Sequence, residues 1–197
     1  MLAAGAGSRY GNRPKLTAEL GGRPVVAWAL DAALGSGLAP TVLVLGREAD
    51  SVLAATPAAA NVTVVHNEQW RSGIASSLRA AIGALRALAA VEAVVVGLAD
   101  QPCVGSEAYV RVAAAYASGA RLAVATYEGA RGNPVLLARN HWDEALGLEG
   151  DEGARALMRR HPVVEVPCDG TGEPTDVDTQ ADLAALEARW RSPTDSA

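Results

Sequence analysis

The sequence predicts a three-layer α/β fold with a mostly parallel sheet. Two observations carry this. Short, β-branched apolar runs alternate with amphipathic stretches through the first 120 residues, and a strand–turn–strand pattern follows in the last third. Continuous apolar runs suit strands covered on both faces, and a βαβα order puts helices on both sides of a sheet.

The elements follow in order. Met1-Leu2-Ala3-Ala4 is a short apolar start, followed by GAGSRYGNRPK at 5–15. RPVVAWALDAALGSG reads as a helix, with Pro24 near its start and Gly35 and Gly37 near its end. TVLVLG (41–46), NVTVVH (61–66) and EAVVVGLAD (92–100) read as strands buried on both faces. SGIASSLRAAIGALRALAA places Ile74, Leu78, Ala81, Ile82, Leu85 and Leu88 on one helical stripe. SEAYVRVAAAYASG is a helix for which Ser106 is the expected cap. RLAVATYEGARGNPVLLAR reads as a hairpin or β-arm. HWDEALGL and DEGARALMRRH are helical, VVEVP (163–167) is a strand, and TQADLAALEARW closes the chain with Thr179 as expected N-cap.

At 197 residues, half of them hydrophobic, the chain suffices for one domain with a sizeable core. That domain is expected over 1–190, with RSPTDSA (191–197) as a tail. The 17 basic and 22 acidic residues give a net charge of −5, which argues against a general nucleic-acid binder. Cys103 and Cys168 stand far apart in no CxxC pattern and read as reduced thiols. There is no run of membrane-span length and no signal-peptide pattern, so a cytoplasmic protein is expected.

The stretch GAGSRYGNRPK is either a surface turn or an anion-binding loop. Small residues let backbone N–H groups approach an anion, and Arg9, Arg13 and Lys15 add positive charge. A loop ending the first strand of an open sheet also lies where ligands bind. Two common motifs fail. Gly5, Gly7 and Gly11 give GxGxxxG rather than the dinucleotide fingerprint, and Lys15 is followed by Leu16 rather than the Ser or Thr of a P-loop.

LAAGAGSRYGNRPK resembles the LAAGxGxRxG…PK signature of nucleotidyltransferases with a GT-A-like, Rossmann-like fold. The resemblance is closer to MobA-like NTP transferases of the molybdenum cofactor cytidylyltransferase branch. LGGRPVVAWALDAAL, NEQWRSGIASSLRAAI, LADQP, RGNPVLL, GDEGARALMRRH and DVDTQADL match in order, from Leu2 to about Trp190. The resemblance implies Mg²⁺-dependent transfer of CMP from CTP to a molybdopterin-type cofactor, with a molybdenum hydroxylase as possible recipient. It implies that the amides of Ala4, Gly5, Gly7 and Ser8, with Arg9, hold the triphosphate. Lys15 would lie against the α-phosphate, and Leu2, Ala3 and Ala4 along base and ribose. Gly73, Ser76 and Ser77 would read the base, although Ile74 and Ala75 depart from the usual GMSSSL. Gln101, Arg131, Gly132, Asn133 and Pro134 would face the acceptor, with Asn133 where close relatives carry His.

Local chemistry bears on these roles. Asp100 ends an apolar strand, where a carboxylate is costly unless it is paired or binds a metal; a turn or cap before Pro102 is the alternative. The resemblance makes Asp100 a Mg²⁺ ligand and Asp178 the second, with Asp176 as a rival. For Arg9 and Lys15 the alternative is solvated surface charge, and for Ser76 and Ser77 an ordinary helix position. For 131–134 it is a turn between two strands. His66 and His141 have no metal-spaced partner in sequence and read as structural or solvated, and Cys103 has no base beside it. Family members carry several apolar residues before LAAG, so the first strand is expected to be a stub here and the native start to lie upstream. Transfer to a sugar phosphate or phospholactate, or a non-catalytic cofactor chaperone, are the competing readings. Some relatives carry oxidoreductase names, but no nicotinamide or flavin motif supports one here.

Overall fold

The computed structural model describes residues 1–5, 7, 9–11, 14–56 and 62–191. The tail expected at 191–197 lies outside these from 192 onward, as do Ala6, Ser8, Asn12 and Arg13 of the glycine loop.

The first half supplies β1 (Leu2–Ala3), the ribbon β2 (Glu19–Leu20) and β3 (Arg23–Pro24), α1 (Val25–Gly35), β4 (Thr41–Leu45), α2 (Ala49–Ala55) and β5 (Val62–His66). Then come α3 (Ile74–Arg86), β6 (Ala93–Val96) and α4 (Ser106–Ala117). The last third holds β7 (Leu122–Tyr127), β8 (Ala130–Ala138), α5 (Trp142–Leu146), α6 (Arg155–Met158), β9 (Val164–Pro167) and α7 (Gln180–Arg191).

β1 pairs in parallel with β4, and β4 with β5. On its other side β1 meets the β6 segment through a parallel Leu2–Leu98 bridge, in which Leu2 N–H donates to Gly97 O and Ala99 N–H to Leu2 O. β8 runs antiparallel to both β6 and β7, and β9 is parallel to β7. The spatial order is β5-β4-β1-β6-β8-β7-β9, with β8 the one reversed strand in it. The expected mostly parallel sheet and C-terminal hairpin are both present.

Side-chain alternation makes the three layers. Ala3, Leu43, Leu45, Ala123 and Leu136 face α1, α2 and α4. Leu2, Val42, Val44, Val124 and Leu137 face α3, α5 and α6. Period-2 strands thus feed two cores, one on each face. A smaller cluster of Tyr10, Leu20, Val25, Val177 and Leu186 ties the glycine loop and ribbon to the final helix. No described helix is long and apolar enough to cross a membrane.

Three expectations and one alternative reading need correction. β5 is an edge strand whose Thr63, Val64 and His66 are exposed, so its apolar run does not mark burial on both faces. Leu88 is 44% exposed, because α3 stops at Arg86 before completing the stripe. Ser106 is the first helical residue of α4 and makes no cap hydrogen bond; Gly105 holds the cap position, where a Cβ would lie 2.4 Å from Thr171 O. Residues 131–134 belong to β8, and the turn before it is Glu128-Gly129, both with positive φ. The Thr179 cap does form: its Oγ1 accepts from Asp182 N–H, while Asp182 Oδ2 accepts from Thr179 N–H.

The short β1 leaves room at the amino ends of the strands. The Met1 ammonium is buried there and donates to Val42 O at 2.8 Å. Burial lowers its pKa from 8.0 to about 5. Beside it lies a cavity of about 360 Å³, walled by Thr41, Val42 and Ala93 to Val95. It lies at the end of the sheet remote from the candidate site.

Candidate active site

The carboxyl ends of β1 and β6 bring together four charged side chains. After β1 the chain turns at Gly7, whose φ is +59°, and Tyr10 N–H closes the turn on Gly7 O. The stem of Lys15 runs past Gly7: a Cβ there would lie 3.7 Å from Lys15 Cγ. Lys15 opens a 3₁₀ turn (Lys15–Thr17) and is only 8% exposed.

Its ammonium sits between two carboxylates, 2.6 Å from Asp100 Oδ2 and 3.2 Å from Asp178 Oδ1. Arg9 Nη2 lies 2.8 Å from the other oxygen of Asp178. Burial alone would lower the Lys15 pKa, but the attraction and hydrogen bonds of Asp100 and Asp178 outweigh it and raise the pKa above 10.5. Lys15 therefore carries its charge at neutral pH.

The second wall comes from far away in sequence. Val177 N–H donates to Asp100 O at 2.8 Å, and the Thr179 cap fixes Asp178 one residue earlier. Asp178 thus lies both beside the cap of α7 and within the charged cluster. Gln101 Nε2 donates to Pro174 O and Asp176 Oδ1, while its buried Oε1 has no partner. Asp176 keeps an exposed edge, yet its pKa is raised by partial burial and then by the neighbouring Asp100.

The residues expected at the base divide. Leu2, Ala3 and Ala4 are all buried, and of the three Leu2 lines a cavity of about 330 Å³. Ser76 and Ser77 are buried and both accept from Asn67 Nδ2, at 2.8 and 3.1 Å. Asn67 was missed in the sequence, where it reads only as a polar residue after the strand expected at 61–66. Gly73, with φ +95°, lies where a Cβ would sit 2.1 Å from Gly150 O. Ala75 N–H donates to that same oxygen. The segment 147–154 therefore closes over the start of α3, and Asp151, Glu152 and Gly153 line the same cavity as Leu2.

Of the residues expected to face the acceptor, Asn133 lines that cavity too, beside Asp176. Gly132 lies against Tyr127 and Pro174, and Tyr127 OH donates to Asn133 O. Pro134 continues β8. Arg131 is turned instead to Glu165 on β9, at 2.7 Å. Cys103 keeps its proton, since burial and then Glu173 push its pKa up, consistent with no nucleophilic role. Ser8 lies outside the described residues.

The donor set suits a hard divalent cation. Two carboxylates already converge on one cationic position, filled here by an ammonium, and the orphaned Gln101 Oε1 is another oxygen nearby in sequence. Asp100 and Asp178 would hold the cation, with Asp176 beside them.

Comparison with known proteins shows the family to which this fold belongs. The chain is 32% identical to nicotine blue oxidoreductase of Paenarthrobacter nicotinovorans over 94% of each chain. Among solved structures it is similar to Rv0371c from Mycobacterium tuberculosis H37Rv, at 33% identity and a TM-score of 0.83 over 95% of each chain. It is also similar to Rv0371c in complex with manganese, at 31% identity and a TM-score of 0.77, again over 95% of each chain. The model of the MobA-like NTP transferase domain matches residues 1–166, and the chain belongs to that family.

Proposed function

We propose that this protein transfers CMP from CTP to a phosphorylated acceptor of the molybdopterin type, with Mg²⁺, and releases pyrophosphate. The observation that carries the reading is the convergence of Arg9, Lys15, Asp100 and Asp178 at the carboxyl ends of β1 and β6. Two carboxylates that hold a cation, beside two basic groups that can hold phosphates, are the parts nucleotidyl transfer needs. The manganese bound by a 31%-identical neighbour supports a divalent ion.

The acceptor phosphate is itself the nucleophile. Its oxygen bonds to the α-phosphorus as the bond to pyrophosphate breaks, so no protein nucleophile is needed. A divalent ion held by Asp100 and Asp178 would neutralise the phosphates and polarise the α-phosphate. Lys15, between these two carboxylates, is placed to meet charge growing on the α-phosphate and leaving group. Arg9 and the loop amides hold the triphosphate, and Gly73 with the start of α3 borders the base. Gln101 and 132–134 line the acceptor side, with Arg131 at its rim. Pyrophosphate release over a matrix of CTP, GTP and ATP against molybdopterin-type, sugar-phosphate and phospholactate acceptors tests the reading. Release with CTP and the pterin alone supports it; a preference for another pair reassigns the substrates. Cofactor binding with no pyrophosphate under any NTP favours a chaperone.

A second reading draws on the relative named nicotine blue oxidoreductase. Bleaching of nicotine blue by NADH or NADPH, without pyrophosphate chemistry, would favour it.

A further inference from the structure

We propose that His141, Glu144 and His161 form a zinc site, separate from the charged cluster, that clasps the two ends of segment 147–154. In sequence His141 has no metal-spaced partner, but the fold supplies one from 20 residues away. His141 ends the 3₁₀ turn before α5, Glu144 projects from α5, and His161 follows α6. His161 Nε2 lies 2.5 Å from Glu144 Oε2, and His141 Nδ1 lies 4.0 Å from the same oxygen. The two rings stand 4.7 Å apart between centroids. One ligand atom from each residue falls within 4.8 Å of the others.

Two imidazoles and a carboxylate are a zinc donor set that leaves a fourth position for water. Ligands about 2.0–2.2 Å from a tetrahedral ion are roughly 3.4 Å apart, between the short and long separations seen here. Seating the ion requires His161 to draw back from Glu144 and His141 to close in. The groups are partly buried, with side-chain exposures of 14%, 33% and 34%, so they are confined yet reachable by solvent. Arg160 holds Glu144 Oε1 at 3.4 Å. It leaves Oε2 for the ion and orients the carboxylate, while its charge weakens the site. Imidazole nitrogen favours zinc over magnesium, so this site and the oxygen-lined cluster select different ions.

Position gives the site a role. α5 and α6 bracket segment 147–154, which carries Gly150 onto the start of α3 and Asp151, Glu152 and Gly153 into the cavity wall. An ion joining the first turn of α5 to the residues just after α6 would hold that wall in place.

The test is zinc binding by calorimetry to the metal-stripped full-length chain, with cobalt(II) absorption as a ligand-sensitive probe. It is run on the native protein, on Asp100→Asn/Asp178→Asn, and on His141→Ala, His161→Ala and Glu144→Gln. The expected result is one zinc per chain that persists in the double Asp variant. Each His variant should weaken it by more than the roughly 10–100-fold that loss of a merely supporting group costs. Glu144→Gln, which keeps shape and fold, should weaken it too. Zinc should also slow amide exchange across 147–154 in the native chain. Absence of binding in the double Asp variant, or zinc binding indifferent to the His and Glu substitutions, overturns the proposal.

Discussion

Lys15 Nζ lies 2.6 Å from Asp100 Oδ2, across 85 residues of sequence, and its ammonium occupies the place between two carboxylates. Removing Asp100 should act on chemistry more than on folding, because Asp178 still partners Lys15. Asp100→Ala is expected to lower the rate of pyrophosphate release by about 10²–10³-fold at saturating Mg²⁺. Circular dichroism and thermal melting should show the fold retained. Turnover near the native rate would sink the metal-ligand assignment.

Asp176 is held in an unfavourable ionised state by partial burial and by Asp100. A carboxylate with a raised folded pKa is a stability penalty at pH above that value. The penalty fades as pH falls through it toward the unfolded value near 3.8. Asp176→Asn keeps a carbonyl for Gln101 Nε2 and should raise the melting temperature at pH 7. The gain should shrink in melts taken in steps toward pH 4. An equal gain at every pH would show that charge is not its origin.

The Met1 ammonium has the opposite sign. Its folded pKa of about 5 lies below the ordinary 8.0, so between these values the unfolded chain binds more protons. For the chain beginning at Met1, urea unfolding free energy should rise from pH 5 to 8, by an amount on the order of a few kcal/mol. N-terminal acetylation, which removes the titrating group, should flatten this part of the profile. An unchanged slope would assign it to other groups.

Gly73 combines a φ of +95° with a carbonyl 2.1 Å from where a Cβ would be. Gly73→Ala should cost about 2 kcal/mol or more in chemical denaturation, through backbone strain and displacement of Gly150. Nucleotide and acceptor KM should both rise, since α3 and segment 147–154 share that contact. A loss of stability with both KM values unchanged would confine Gly73 to a structural role.

Asn133 lines the cavity beside Asp176. Asn133→Ala should raise the acceptor KM about tenfold while leaving the nucleotide KM near native, measured by steady-state pyrophosphate release; this takes one lost hydrogen bond to the acceptor as roughly 1.4 kcal/mol. A rise confined to the nucleotide KM would place Asn133 on the wrong side of the site.

Local sequence revealed what depends on short-range pattern. The β4 and β6 runs, the α3 stripe from Leu78 to Leu85 and the Thr179 cap all follow from neighbours within a few residues. The Val62–His66 run misled because β-branched residues fit an edge as well as a centre, and edge position is set by topology. Arg9, Lys15, Asp100 and Asp178 could be grouped only through resemblance, since no spacing rule joins residues 163 apart. Asn67 beneath Ser76 and Ser77, and Gly150 against Gly73, went unseen for the same reason. So did His161 beside Glu144, which becomes visible only when α6 folds back past α5.

The reversal of β8 has a consequence for how such a site can vary. Because β8 alone runs backwards, its first residues, not its last, reach the rim where Asp100 leaves β6. The turn at Glu128-Gly129 therefore stands on that rim, on a hairpin separate from the glycine loop. Lengthening this turn would reshape the rim at the start of β8 while leaving the glycine loop unchanged. On the proposed function, the hairpin and the glycine loop are thus two separate pieces of chain that can vary one without the other.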